Sequence, residues 1–324
     1  MEDDMGFGSL RGAGVILALL SAATFGTAGA FGSSLIQSGW TPGAAVTTRV
    51  VVAAAVLTVP GLLQMRGRWG LLRRGGATIA LFGLVAVAGA QLCYFNAVAH
   101  LSVGVALLLE YLGTVLVVGW LWLRHGHRPR RLTVTGGVTA ILGLVLVLDL
   151  TGAHRLDPVG VLWGLGAAVG LAVYFVISAA TDDPLPPLAM AWGGMVVGAL
   201  GLCGLGLVGA VPLRASTDDV RLLDHHVSWL VPVLGLSVVA AVFAYVAGIN
   251  AARLLGAKVA SFVGLTEVVF AVIFAWLLLG QVPALVQFVG GALIVAGIAL
   301  VRIDELRAPQ QQEALSAAPE MLTA

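Results

Sequence analysis

Two glutamates lie inside stretches that otherwise hold almost only apolar residues. Glu110 interrupts LSVGVALLLEYLGTVLVVGWLWLRHGHRPRR (residues 101–131), and Glu267 interrupts LGAKVASFVGLTEVVFAVIFAWLLLGQVP (residues 255–283). At the α-helical rise, Glu110 falls about 14 Å along a helix begun at Leu101, and Glu267 about 16 Å along one begun at Gly256. In a hydrocarbon core about 30 Å thick both are near the midplane. An acid there costs at least about 2.5–3.5 kcal/mol unless it faces a polar cavity or a partner, so it is a functional candidate by default. Low dielectric disfavours the charged carboxylate. Either group can therefore take a proton from one side and lose it to the other, or hold an ammonium group when ionised. The plainer alternative is a protonated carboxyl that only ties helices together. Small residues share each acid's face: Ala106 and Gly113 around Glu110, and Gly264 and Ala271, with Val263 and Phe270, around Glu267.

One cation accompanies them. Arg49, in TTRVVVAAAV, sits about five residues into an apolar run. It either snorkels to the headgroups or turns inward to Glu110 or to an anionic group, which a guanidinium binds through two parallel hydrogen bonds. Polar side chains that can line a path between these groups are Gln91, Tyr94 and Asn96 on one run, Tyr174 and Ser178 on another, and Tyr245 and Asn250 on a third. Amides in hydrocarbon need partners, so Asn96 and Asn250 are either interhelical links or solute contacts.

The elements that must position these groups follow from composition. Of 324 residues, 59% are hydrophobic and 10% charged, far from the roughly one-quarter charged residues of soluble domains. Ten runs of spanning length are expected, at about 13–35, 44–64, 77–99, 101–123, 133–151, 158–179, 188–211, 229–252, 256–279 and 284–302. With the N-terminus inside, cytoplasmic segments hold Arg11, Arg66, Arg68, Arg73, Arg74, Arg124, Arg128, Arg130, Arg131, Arg253, Lys258, Arg302 and Arg307, against Arg155, Arg214 and Arg221 outside. That thirteen-to-three bias predicts both ends in the cytoplasm. The acidic connection TDDPLPP is the exception on the inner side.

Shifting the chain by 154 residues reveals a repeat. Asn96 meets Asn250, Ala106 meets Ala260, Trp122 meets Trp276, Gly126 meets Gly280 and Pro129 meets Pro283, and Gly136, Gly137 and Gly143 meet Gly290, Gly291 and Gly297. The first helices match at a different offset, Gly14 with Gly160 and Ala22 with Ala168. Five spans per half is an odd number, so the halves cross in opposite senses, as in many secondary transporters. Glu110 meets Gly264 and Glu267 meets Gly113. The acids are thus one turn out of register. The expected organisation is an N-terminal tail (1–12), a first five-helix repeat (13–151), a second (158–302) and a disordered tail (303–324).

Other chemistries lack their residues. There is no HExxH, GxSxG or GxxxxGK[ST] sequence, so zinc proteolysis, serine hydrolysis and ATP-driven pumping are not expected. Cys93 and Cys203 lie in apolar runs without metal-ligand spacing. His225 and His226, in an outer connection that could carry a short interfacial helix, read as solvated. No cofactor or metal is expected. A net charge of +1 gives no case for nucleic acid. Glycine pairs such as Gly160 and Gly164 point to tight packing first, and a homodimer stays compatible with them.

The sequence resembles the ten-helix drug/metabolite transporter superfamily, EamA type, with two tandem repeats. The likeness rests on the repeat, on AWLLLGQVP (275–283) with GGALIVAG (290–297), and on GVALLLEYLG (104–113), which looks like the threonine/homoserine exporter branch. It departs where members commonly have prolines, at Thr114 and Val268, and where they have glutamates, at His127 and Gln281. The resemblance implies an all-α plasma-membrane protein with a central cavity between the halves. It implies export of a small metabolite or amino acid, driven by a proton gradient or exchange; Glu110, Glu267 and Arg49 are the expected coupling or binding residues on their own chemistry. A small-solute importer, an exchanger and a non-transporting membrane scaffold are the alternatives.

Overall fold

In a computed structural model, which describes residues 2–101, 103–125, 129–147, 157–180, 185–222, 225–279, 285–286, 288–301 and 303–304, the apolar runs are helices. The first run is α1 (Glu2–Gly26) and α2 (Ala28–Gln37), parted only by Thr27. The helix therefore begins well before residue 13. α3 (Pro42–Gln64) starts at Thr41, whose hydroxyl accepts the Ala44 N–H, with a proline in the first turn where no donor is needed. A short basic helix, α4 (Trp69–Arg74), precedes α5 (Gly76–Leu81). The third span then continues as a π-helical segment, Phe82–Gly89, into α6 (Ala90–His100). α7 (Val103–Tyr111) and α8 (Gly113–His125) are separated by Leu112, and α9 covers Arg131–Val147.

The second half follows the same plan. α10 (Pro158–Ser178) is capped by the Asp157 carboxylate, and α11 covers Pro187–Leu207. α12 (Leu230–Leu234), a second π segment at Gly235–Phe243 and α13 (Ala244–Gly264) run on, but Gly256 at φ 76° and ψ 160° divides α13. Only glycine adopts that conformation freely. α14 (Thr266–Leu279) and α15 (Phe288–Val301) complete the described helices. Among the described residues six runs are long and apolar enough to cross a bilayer: Gly12–Gln37, Pro42–Gln64, Gly76–His100, Pro158–Ser178, Pro187–Leu207 and Leu230–Gly264. α9, α14 and α15 are shorter apolar helices.

Packing follows the two-fold plan read from the sequence. α1 lies along α13 and α14 of the other half, while α10 lies along α6, α7 and α8. α3 packs on α11 and on the second π segment, and α11 packs on the first. Glycines let these backbones approach. A Cβ at Gly14 would sit 3.0 Å from Leu254 and Leu255, and one at Gly160 would sit 2.6 Å from Leu101 and 2.8 Å from His100. α9 and α15 cross where a Cβ at Gly136 would meet Gly297 O at 2.7 Å and one at Gly143 would meet Gly290 O at 2.6 Å. The repeat shift converts the first of these pairs into the second. Leu162, Leu200 and Leu207 are among the exposed large apolar side chains, on the surface that lipid covers.

Polar pairs close the ends. His100 Nδ1 lies 2.8 Å from the Asp157 carboxylate. At the other end Thr133 Oγ1 donates to the buried Asp304 carboxylate, with Lys258 Nζ 3.9 Å away. Each pair bridges helices whose ends composition alone left at the interface.

The purely helical expectation needs one correction. The outer connection forms an antiparallel hairpin, β1 (Val220–Leu222) with β2 (His225–Val227), and not an interfacial helix. Val220 and Leu222 alternate inward, 1% and 5% exposed, with Arg221 outward. That period of two suits a strand laid over α2. His225 and His226 are exposed, and no metal-binding group of three His, Cys, Asp or Glu occurs among the described residues. Residues 305–324, most of TDDPLPP, His127 and 280–283 of the AWLLLGQVP motif lie outside the described residues.

Candidate functional site

The two acids flank two helix interruptions. Glu110 is the penultimate residue of α7, just before the break at Leu112, and Glu267 is the second residue of α14, just after the break at Leu265. The breaks occur although Thr114 and Val268 stand where related helices carry proline. Here tighter turns form, with Leu112 N–H donating to Leu109 O at 3.2 Å and Val268 N–H to Leu265 O at 3.2 Å. A break releases backbone carbonyls. One of them, Gly264 O, accepts the Tyr111 hydroxyl at 3.1 Å. That hydroxyl is also within hydrogen-bonding reach of the Glu267 carboxylate. Glu267 thus sits in the first turn of α14 and Glu110 in the last turn of α7.

Both acids open into one cavity of about 80 Å³ between the halves. That is room for a few waters or a small polar group, well below the pocket size that drug-sized ligands need. Arg49, Gln91, Tyr94, Glu110, Tyr174, Tyr245 and Glu267 line it, so seven of the ten residues selected from sequence converge from six different helices. Arg49 does not snorkel. It is 3% exposed, its Nη2 donates to Ala240 O, and its Nε is buried without a partner. The charges of Glu110 and Glu267 act on it, yet among the described residues no ion pair joins Arg49 to either acid. The cavity therefore presents a guanidinium and two carboxyls that are not spent on one another.

Ala240 lies in the second π segment, and its repeat mate Ala86 lies in the first. Ala86 O accepts the Tyr245 hydroxyl at 3.2 Å, and Tyr245 Oη in turn accepts from Gln91 Nε2 at 2.9 Å. The equivalent carbonyls of both π segments are thus each held by a side chain at the cavity. Such segments recur at functional sites because the wider turn misaligns a carbonyl that a side chain can then use. Phe25, Tyr174 and Tyr245 form an edge-to-face cluster, with Phe25 5.1 Å and Tyr174 5.4 Å from the Tyr245 ring centre.

Three selected residues do not line the cavity. Asn96 and Asn250 donate to Leu92 O and Val246 O, each at 2.7 Å and four residues back on the same helix. Their amide donors are satisfied locally. Ser178 is fully buried in the last turn of α10. Conversely, Ser21, Phe25 and Tyr111 line it and were not selected. Tyr111 adjoins Glu110 in sequence, which was a usable signal. Ser21 and Phe25, four apart on an apolar helix, gave only a weak one.

A family model for the EamA-like transporter family matches residues 12–149 and again 158–303. The chain belongs to that family. It is a membrane transporter of the EamA-like type and not an enzyme, and the repeated match agrees with the two-fold packing. A relative in Salmonella typhimurium strain LT2, named as the uncharacterized inner membrane transporter YicL, is 21% identical over 304 residues, covering 91% of this chain and 96% of the relative. One solved crystal structure superposes with a TM-score of 0.73 at 20% identity, over 92% of this chain and 99% of the other, which shows likeness of fold.

Proposed function

We propose that this EamA-like protein crosses the plasma membrane ten times, with both termini in the cytoplasm. In this reading it exports a small zwitterionic or amphiphilic metabolite, such as an amino acid, by proton-coupled alternating access. The observation that carries the reading is the convergence of Arg49, Glu110 and Glu267 on one cavity between the two repeats, with the acids at helix breaks and, among the described residues, no ion pair consuming them. Discontinuous helices at a midplane site between repeats are the usual setting for solute and ion binding in secondary transporters.

In this mechanism Arg49 receives the solute's anionic group on Nε–H and the adjacent Nη2–H, while the other Nη2–H stays on Ala240 O. Glu110 carries the proton, and Glu267 meets the solute's ammonium. The acids' offset by one turn is what allows the two roles to differ. Each proton moving inward down a 100 mV potential contributes about 2.3 kcal/mol, sufficient for modest accumulation outside. The test is flux in inverted vesicles, where an imposed pH gradient should drive uptake of the exported solute. Glu110→Gln should abolish the gradient dependence. If Glu110→Gln and Glu267→Gln both leave gradient-driven flux intact, the acids have only a packing role.

A further inference from the structure

A second hollow, of about 210 Å³, lies between α8, α9 and the end of α13. Its surface is almost wholly apolar, with the Phe262 ring on its inner wall. It opens outward: Val115, Val134 and Val138 line it and are 48%, 49% and 53% exposed. Beside it the outer faces of the same two helices carry Trp122 and Leu142, 49% and 56% exposed. At this depth in a membrane protein that surface meets hydrocarbon, so the groove is continuous with the lipid-facing side.

Two features separate this groove from ordinary surface roughness. Pro129 lines one end, and the chain around it carries Arg124, Arg130 and Arg131, all exposed. An apolar slot lined by Pro129, with the exposed Arg124, Arg130 and Arg131 on either side of it in the chain, matches a molecule with an anionic head and a hydrocarbon tail. Basic clusters beside transmembrane helices recognise anionic lipid headgroups on this principle. The slot is also open by virtue of glycine. A Cβ at Gly137 would meet nothing closer than Phe262 Cζ at 3.5 Å, whereas its neighbour Gly136 is closed off by Gly297 O at 2.7 Å.

We propose that this groove is a binding site for one anionic phospholipid from the leaflet beside Arg124, Arg130 and Arg131. One acyl chain lies between α8 and α9 and the phosphate rests on the arginines. The Tyr111 ring forms the inner wall of the groove and also lines the central cavity, so the bound chain packs against a residue of the transport site. The inference needs only that the protein is in a bilayer, and it stands apart from the direction and coupling of transport.

The test uses the full-length protein in phosphatidylcholine vesicles, titrated with chain-spin-labelled phosphatidylglycerol or, separately, chain-labelled phosphatidylcholine. A saturable, motionally restricted component of one lipid per chain is expected for phosphatidylglycerol only. Gly137→Leu, which fills the groove from within, should remove it, and so should Val115→Trp, which fills it from the lipid side should the first variant fold poorly. Arg124→Gln, Arg130→Gln and Arg131→Gln should each weaken the component about fivefold. Equal restriction of both lipids overturns the anionic assignment. Retention of the component in the filled variants overturns the groove.

Discussion

Gln91 and Tyr245 occupy the same position in the two repeats, 154 residues apart, and they bond to each other: Gln91 Nε2 donates to Tyr245 Oη at 2.9 Å. Equivalent residues can touch only where the pseudo-two-fold axis passes between them. That contact therefore locates the pseudo-two-fold axis between the repeats beside the cavity. It also marks where the symmetry is broken, since one member is an amide and the other a phenol.

Tyr245→Phe removes the donor to Ala86 O and the acceptor for Gln91 at once. Unfolding in detergent should show a loss of about 1–3 kcal/mol. In a double-mutant cycle with Gln91→Leu the two changes should couple by about 0.5–3 kcal/mol, whereas independent effects would mean that the contact carries no energy.

Arg49→Gln leaves Ala240 O without its charged donor and removes the cavity's only lining cation among the described residues. Solute flux should fall at least tenfold, the counterpart of one charge-assisted hydrogen bond at about 1.5–3 kcal/mol. Arg49→Lys keeps the charge but not the fork, and should recover stability more than flux. Equal recovery of both would argue for a point charge without bidentate recognition.

Gly136→Ala and Gly297→Ala each drive a methyl into a carbonyl oxygen across the α9–α15 crossing, at 2.7 and 2.5 Å before relaxation. Melting temperatures should drop, by about 1–3 kcal/mol of overpacking. Gly137→Ala, one residue away, puts its methyl in ordinary contact with the Phe262 ring at 3.5 Å and should melt like the parent.

Tyr111→Phe should alter transport more than stability. The hydroxyl bonds Gly264 O at the helix break and reaches Glu267, so its loss frees both the carbonyl and the acid. A shift in the gradient dependence of flux, with a melt within about 1.5 kcal/mol of the parent, is expected. An unchanged gradient dependence would place the hydroxyl outside the coupling machinery.

What could be read in advance depended on whether the signal sat in side chains. Glu110 and Glu267 announced themselves by the cost of a carboxyl in hydrocarbon, and the glycines of α9 and α15 by their recurrence at one spacing. The π segments were silent, because FGLVAVAG and GLSVVAAVF hold apolar residues that suit an ordinary helix equally well. The acceptors at Ala86 and Ala240 are backbone groups that no residue type reports. Asn96 and Asn250 misled for a related reason: their symmetry was genuine, but each amide found its acceptor one turn back, and sequence does not reveal side-chain direction. The hairpin at Val220–Val227 was hidden by brevity, as three-residue strands leave almost no period to detect.

The pairing of α1 with α13 bears on how the protein is made. α1 has its partner in Ala244–Gly264, more than two hundred residues behind it. Throughout synthesis of the intervening spans, the face of α1 that carries Gly14, Ala18 and Ser21 must wait in the bilayer unpaired. The two repeats consequently cannot mature one after the other. Assembly closes only when the second half arrives, and a chain interrupted near residue 240 would leave that face available to quality-control proteases.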